Sequence, residues 1–218
     1  YFYKNPLEII TGIRDGGMAS HGATLGIFLG IWIFCKRNHL PFIWGLDRIA
    51  IVAPLSGAII RLGNLFNSEI VGLPTDAAWG FKFPLCAEDR AIEALADVPA
   101  RHPAQLYEAL CYVLVSAFIL WLYYRKDLGR RRPGMLFGVA MIGIFLSRFF
   151  IEFCKERQVA FEDFLPLDMG QLLSIPFIIL GVVMIAVALK RPAVTDVNAV
   201  VANANRFYAS EAKKRNKK

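Results

Sequence analysis

Five stretches of this 218-residue chain are each long and apolar enough to cross a hydrocarbon core, and nothing else in the sequence restricts its fold so strongly. An α-helix rises about 1.5 Å per residue, so about 20 largely apolar residues cross the interior of a bilayer. Inside lipid every backbone N–H and C=O must be satisfied by protein, which leaves helices as the economical solution for segments of this length. The stretches fall at about 17–35, 41–65, 105–124, 134–153 and 171–189. Apolar residues make up 56% of the chain, above the 45–50% or so of an ordinary soluble domain. The expected fold class is therefore all-α, a polytopic membrane helix bundle with five transmembrane helices.

Charge falls almost wholly between these stretches and sorts by loop. One alternating set of connections and the tail, from Lys36 and Arg37 through the 125–132 run to the residues after Lys190, holds fifteen Lys or Arg. The other set, 1–16, 66–104 and 154–170, holds seven against twelve acidic residues. The positive-inside bias places the first set, with the C-terminal tail, in the cytoplasm and the second outside. A multi-pass membrane protein is expected. The net charge of +7 is thus accounted for by topology and attraction to anionic lipid; no motif accompanies it that would point to nucleic acid.

Between the second and third stretches, about 66–104 is rich in Pro, Gly and acids and too long for a simple turn, so a small outer (periplasmic) head is expected there. Gly22, Gly26 and Gly30 recur every four residues, a spacing that allows close helix contact in lipid. Pro54 and Gly57 suggest a kinked second span. Cys35, Cys86, Cys111 and Cys154 have no metal-ligand spacing and read as small apolar residues. The chain opens on Tyr1-Phe-Tyr with neither a start methionine nor a signal peptide, which reads as part of a longer protein. A membrane-embedded domain over 1–192 followed by a basic cytoplasmic tail, 193–218, is the expected organisation.

An ion within the membrane is costly and usually functional, so the polar residues near the span ends carry most information. They share one face. His21 opens the first span; Arg61, Asn64, Asn67 and Glu69 close the second; His102, Gln105, Tyr107 and Glu108 open the third. Arg148 and Glu152 close the fourth, and Gln171 opens the fifth. Arg61 and Asn64 lie i, i+3, presenting a permanent cation and an amide from one helix face, a geometry that suits a lipid phosphate. Arg148 and Glu152 lie i, i+4 and can pair with each other. His21 stands where a glycine loop meets a helix start and could serve as a general base near neutral pH; packing against headgroups is the plainer alternative. His102 precedes Pro103 and a new helix, so positioning and chemistry are equally open to it.

Five strings occur in order: Asp15-Gly-Gly-Met-Ala-Ser-His-Gly, Arg61-Leu-Gly-Asn-Leu-Phe-Asn-Ser-Glu-Ile-Val-Gly, Arg101-His-Pro-Ala-Gln-Leu-Tyr-Glu, Arg148-Phe-Phe-Ile-Glu-Phe and Met169-Gly-Gln-Leu-Leu-Ser-Ile-Pro. Together they resemble the prolipoprotein diacylglyceryl transferases over residues 1 to about 192. The resemblance implies that the diacylglyceryl group of phosphatidylglycerol is joined to the lipobox cysteine thiol in the signal sequence of a prolipoprotein, with release of glycerol-1-phosphate. It implies catalytic roles for His21, Arg61, Arg148 and Glu152. It implies substrate binding by Arg61, Asn64, Asn67, Glu69, Gly72, Gly16, Gly22, His102, Gln105, Glu108 and Gln171. It implies a multi-pass protein of the bacterial cytoplasmic (inner) membrane, and neither a metal nor a cofactor is implied. Ala23, Ile60 and Ile144 depart from the family pattern of glycine, glycine and tyrosine, and the family carries further membrane segments and a functional tyrosine ahead of the matched part. A lipid-binding or transport protein using the same arginines without chemistry remains the alternative, and in it His21 would be dispensable. An intramembrane hydrolase finds no serine–histidine or paired-aspartate arrangement within the spans.

Overall fold

The computed structural model describes residues 20–86, 89, 92, 94–155, 167–194 and 202, without the side chains of residues 20, 21 and 23. Its helices are α1 (Ser20–Arg37), α2 (Phe42–Phe66), α3 (Ala104–Lys126), the single turn α4 (Leu128–Arg131), α5 (Met135–Ile151) and α6 (Met169–Lys190). A 3-10 turn, Glu152–Cys154, continues α5. The chain divides into two compact units at Gly45 and Leu46: α1 belongs to the first, and the described residues from Leu46 to residue 194 belong to the second.

Four helices, α2, α3, the α5 segment through Cys154, and α6, are long and apolar enough to cross a membrane. They carry exposed apolar side chains, Ile60, Leu114 and Ile179 among them, which only an apolar solvent would leave unpenalised. The helix α1 is the fifth expected segment, but it is not among the four. Its 18 described residues include Ser20, His21, Lys36 and Arg37, which dilute an otherwise apolar run. Among the described residues, nothing lies within 4 Å of a Cβ built at Gly22, Gly26 or Gly30, so the close contact expected of that stripe is not seen there.

The second unit packs tightly where side chains are smallest. A Cβ on Gly138 of α5 would stand 2.9 Å from the Gly181 carbonyl oxygen, and one on Gly181 of α6 would stand 2.8 Å from that of Gly138. The two backbones meet at this crossing, as small residues permit between helices in lipid. Phe145, two turns along α5, and Phe177, one turn back along α6, stack at 4.3 Å between centroids.

At one end of the unit the helix termini are closed by side chains from elsewhere. The buried Asp47 of α2 accepts from Gly134 N (2.7 Å) and Phe137 N (2.9 Å), satisfying first-turn donors of α5 that have no partner within their own helix. An Arg132 terminal nitrogen donates to the carbonyls of Ala188 and Leu189, each at 3.0 Å, at the end of α6. Both charges thus serve as caps of helices other than their own.

The described residues of the region 67–103 are not helical, and depart from a purely α architecture because three extended segments pair among them. Strands β1 (Phe81–Lys82) and β2 (Ala100–Arg101) are antiparallel, with Phe81 opposite Arg101. Isolated bridges join Pro74 to Arg101 and Gly72 to Lys155. Val71, Phe83 and Cys86 form a small buried core below them, with Leu65 of α2 against it.

Candidate active site

Glu108 is the centre of the site. It lies on the second turn of α3, is 0% exposed, and forms ion pairs with Arg61 of α2 and with Lys155 beyond the 3-10 turn, the latter at 2.6 Å. Lys155 also holds Glu152 at 3.0 Å. A buried carboxylate without a cation would be expensive, and two cations answer this one. Arg61 additionally hydrogen-bonds the hydroxyl of Tyr112, one turn along α3, and the charge of Arg148 is felt at that same hydroxyl. Two arginines from different helices therefore act on Tyr112. Ile144 packs against the cluster that contains Tyr112.

The expected Arg148–Glu152 pair does not form. Glu152 keeps α-helical register with Arg148, donating its backbone N–H to Arg148 O, but its carboxylate turns to Lys155, which the 3-10 turn brings under it. The Glu152 carboxylate rests instead against Gly170 at the start of α6, where a negative charge is favoured by the helix dipole. Among the described residues Arg148 is in no salt bridge. Gln171 completes a capping box with Asp168 and donates from Nε2 to the Phe149 carbonyl at 3.3 Å, tying α6 to the last turn of α5.

A second set of contacts shapes the rim. Asn64 Nδ2 donates to Glu69 Oε2 at 2.8 Å, and Gln105 Nε2 donates to the Glu69 carbonyl at 2.6 Å. These two bonds fix the chain as it leaves α2. Asn67 is exposed and only its backbone is engaged, donating to Gly63 O. Gly72 is threaded between two strands: its N–H donates to His102 O at 3.0 Å, and the next residue, Leu73, donates to Cys154 O at 2.9 Å. A Cβ at Gly72 would stand 2.4 Å from His102 O and 2.7 Å from Cys154 O, both backbone atoms. Gly72→Ala must therefore push apart the segments that carry His102 and Lys155. The expected cost is about 1–3 kcal/mol of stability, read as a lowered melting temperature in detergent together with reduced activity.

His102 is held as a positioning residue. Its backbone brackets Gly72 and Leu73, and its Nδ1 lies 3.2 Å from the Tyr107 hydroxyl, which also accepts from Trp79 Nε1 at 2.9 Å. Arg101 beside it is buried and donates from Nε and a terminal nitrogen to Asp89 at 2.7 and 3.0 Å, and Cys86 Sγ lies 3.0 Å from the same carboxylate. The Arg101 hydrogen bonds hold the Asp89 carboxyl below its ordinary range. Burial, followed by the bond to Asp89, pushes the Cys86 thiol up to about 11, so this cysteine is a protonated donor and more than apolar filler. All four cysteines are free.

Of the residues singled out from the sequence, the structure brings together Arg61, Asn64, Glu69, Gly72, His102, Gln105, Glu108, Arg148, Glu152 and Gln171 at one end of the second unit. Gly22 and the backbone of His21 lie on the first turn of α1, in the other unit. Gly16 and the side chain of His21 lie outside the described residues. Sequence reasoning missed Lys155 and Tyr112. Lys155 looks like one more loop charge, and its only signal is the i, i+3 spacing from Glu152.

Apolar helices with a network of buried ions at their ends, beside an Arg148 that is in no salt bridge among the described residues, define a helical membrane protein. The chain belongs to the prolipoprotein diacylglyceryl transferase family, whose model matches residues 1–187. It is 45% identical over 197 residues to a phosphatidylglycerol–prolipoprotein diacylglyceryl transferase of Porphyromonas gingivalis, covering 88% of this chain and 69% of that protein. To the enzyme of the same name from Chloroherpeton thalassium it is 42% identical over 192 residues, 88% of this chain and 67% of that protein. One from Bacteroides fragilis matches at 44% identity over 168 residues, 76% of this chain and 56% of that protein.

Proposed function

We propose that this chain transfers the diacylglyceryl group of phosphatidylglycerol to the lipobox cysteine of a prolipoprotein. The observation that carries the reading is that Arg61 and Arg148, from two helices, both act on Tyr112, within an ion network otherwise paired among its described members.

The thiolate sulfur attacks the glyceryl carbon that bears the phosphate ester. The new C–S bond is a thioether, the C–O bond breaks, and glycerol-1-phosphate leaves with the bonding electrons. Such a displacement needs a deprotonated thiol and a stabilised leaving phosphate. Arg148, unpaired among the described residues, and the remaining N–H groups of the Arg61 fork supply the second requirement. His21 takes the thiol proton as general base. Glu108 and Glu152 hold the cations in place, and Asn64, Glu69, Gly72, Gln105 and Gln171 fix the helix ends around them. Gly16, Gly22, Asn67 and His102 belong to the substrate-binding rim.

In this reading α1 is the fifth span, 1–192 form the membrane domain, the region 66–104 is the periplasmic head, and 193–218 form the cytoplasmic tail. The loop asymmetry of Lys and Arg supports that orientation. The site then opens toward the outer face of the inner membrane, where phosphatidylglycerol and a signal sequence both reach it from the bilayer.

The test is thioether formation on a synthetic lipobox peptide in membranes containing phosphatidylglycerol, with the full-length protein and His21→Ala. The protein is expected to lipidate the peptide and the variant to lose about a hundredfold or more in rate, as for a general base. Binding of phosphatidylglycerol without lipidation would favour a lipid-binding protein, and full activity of His21→Ala would remove the base from His21.

A further inference from the structure

We infer that Lys155 is a positioning residue that keeps Arg148 free for the lipid phosphate by holding Glu152 away from it. The inference rests on the reading of Arg148 as a phosphate-binding group.

Among the described residues the charged and titratable groups of this network are Arg61 from α2, Glu108 and Tyr112 from α3, Arg148 from α5, Glu152 from the 3-10 turn and Lys155 just after it; Glu69 and His102 at the same end are engaged with Asn64 and Tyr107 instead. Gln171 of α6 adds an amide. Two carboxylates meet three cations, so one cation is left over, and which one it is depends on Lys155. Its ammonium bridges Glu108 Oε1 at 2.6 Å and Glu152 Oε2 at 3.0 Å and is almost fully buried. The Glu152 side chain is itself only 12% exposed, so its carboxylate needs a cation.

With the Lys155 charge removed, Glu152 must find another partner. Arg148 is four residues back on the same helical segment, the spacing at which a carboxylate and a guanidinium meet readily. The captured arginine would be neutralised, and the site would lose the cation that has no salt-bridge partner among the described residues. Lys155 thus serves phosphate binding without touching the phosphate. Its backbone bridge to Gly72 holds the ammonium at this position.

Because the lost contact acts on bound lipid before and during reaction, the effect should fall on KM more than on kcat. A double-mutant cycle isolates it. In the full-length protein, Lys155→Met is expected to raise KM for phosphatidylglycerol roughly tenfold to a hundredfold, the worth of a hydrogen bond to a charged group. In a Glu152→Gln background, where no carboxylate remains to capture Arg148, the same substitution should change KM by less than about threefold. Lys155→Arg should stay near the parent.

An equal rise of KM in both backgrounds, or no rise in the single variant, overturns the inference. If Lys155→Met does not accumulate, the double variant decides alone, with a KM close to that of Glu152→Gln sustaining the inference and a KM raised tenfold above it overturning it. The same set is read by binding of fluorescent phosphatidylglycerol in detergent micelles. Absence of thioether formation by the parent would count against the transferase reading, and the binding cycle would still decide the role of Lys155.

Discussion

Arg61→Ala is expected to lower kcat/KM for lipidation of a lipobox peptide by about a thousandfold, some 4 kcal/mol of transition-state stabilisation. Two losses combine. The departing phosphate gives up one arm of its clamp in a setting where water cannot substitute, and Glu108 gives up one of its two cations. Arg61→Lys separates them, because an ammonium can still neutralise Glu108 but cannot present a fork to the carboxylate, the Tyr112 hydroxyl and a phosphate together. It is expected to fold like the parent and to recover only a small part of the rate, measured by single-turnover lipidation. A lysine variant with parental rate would mean that charge alone, without guanidinium geometry, is what the reaction needs.

Glu108→Gln should be the most destabilising conservative change in the site, by about 3–5 kcal/mol, since it leaves a buried lysine and a nearly buried arginine facing each other without the carboxylate between them. The measurement is thermal unfolding in detergent alongside activity. Pairing with Lys155→Met should recover part of the lost stability, because it removes one of the two stranded charges, whereas pairing with Asn64→Ala should not. A Glu108→Gln protein as stable as the parent would show that water or lipid headgroups reach these cations, and the buried-network account would fail.

The helices were legible because the thickness of a bilayer leaves little freedom. The expected 41–65, 105–124 and 171–189 correspond to Phe42–Phe66, Ala104–Lys126 and Met169–Lys190. That the polar residues of several spans share one end was also legible, since spans alternate in direction and Arg61, Gln105, Glu108, Glu152 and Gln171 all stand next to the same set of loops. Partners were not legible. Glu108 and Lys155 are 47 residues apart and meet only through packing. The Arg148–Glu152 pair was inferred from α-helical spacing, which the backbone keeps, but the Glu152 carboxylate is taken by Lys155. Nothing around Asp47 announces its function either, because it closes the start of α5 through Gly134, 87 residues later in the chain.

That cap, together with Arg132 at the end of α6, has a mechanical meaning. Both lie at the end of the unit remote from Glu108, and both stitch one helix terminus to a different element with hydrogen bonds to ionised side chains. Four helix ends are thereby riveted like the joint of a pair of dividers. Any widening that admits a two-tailed lipid from the side must then be made by the free legs, swinging about that joint, and it will be largest where the arginines wait.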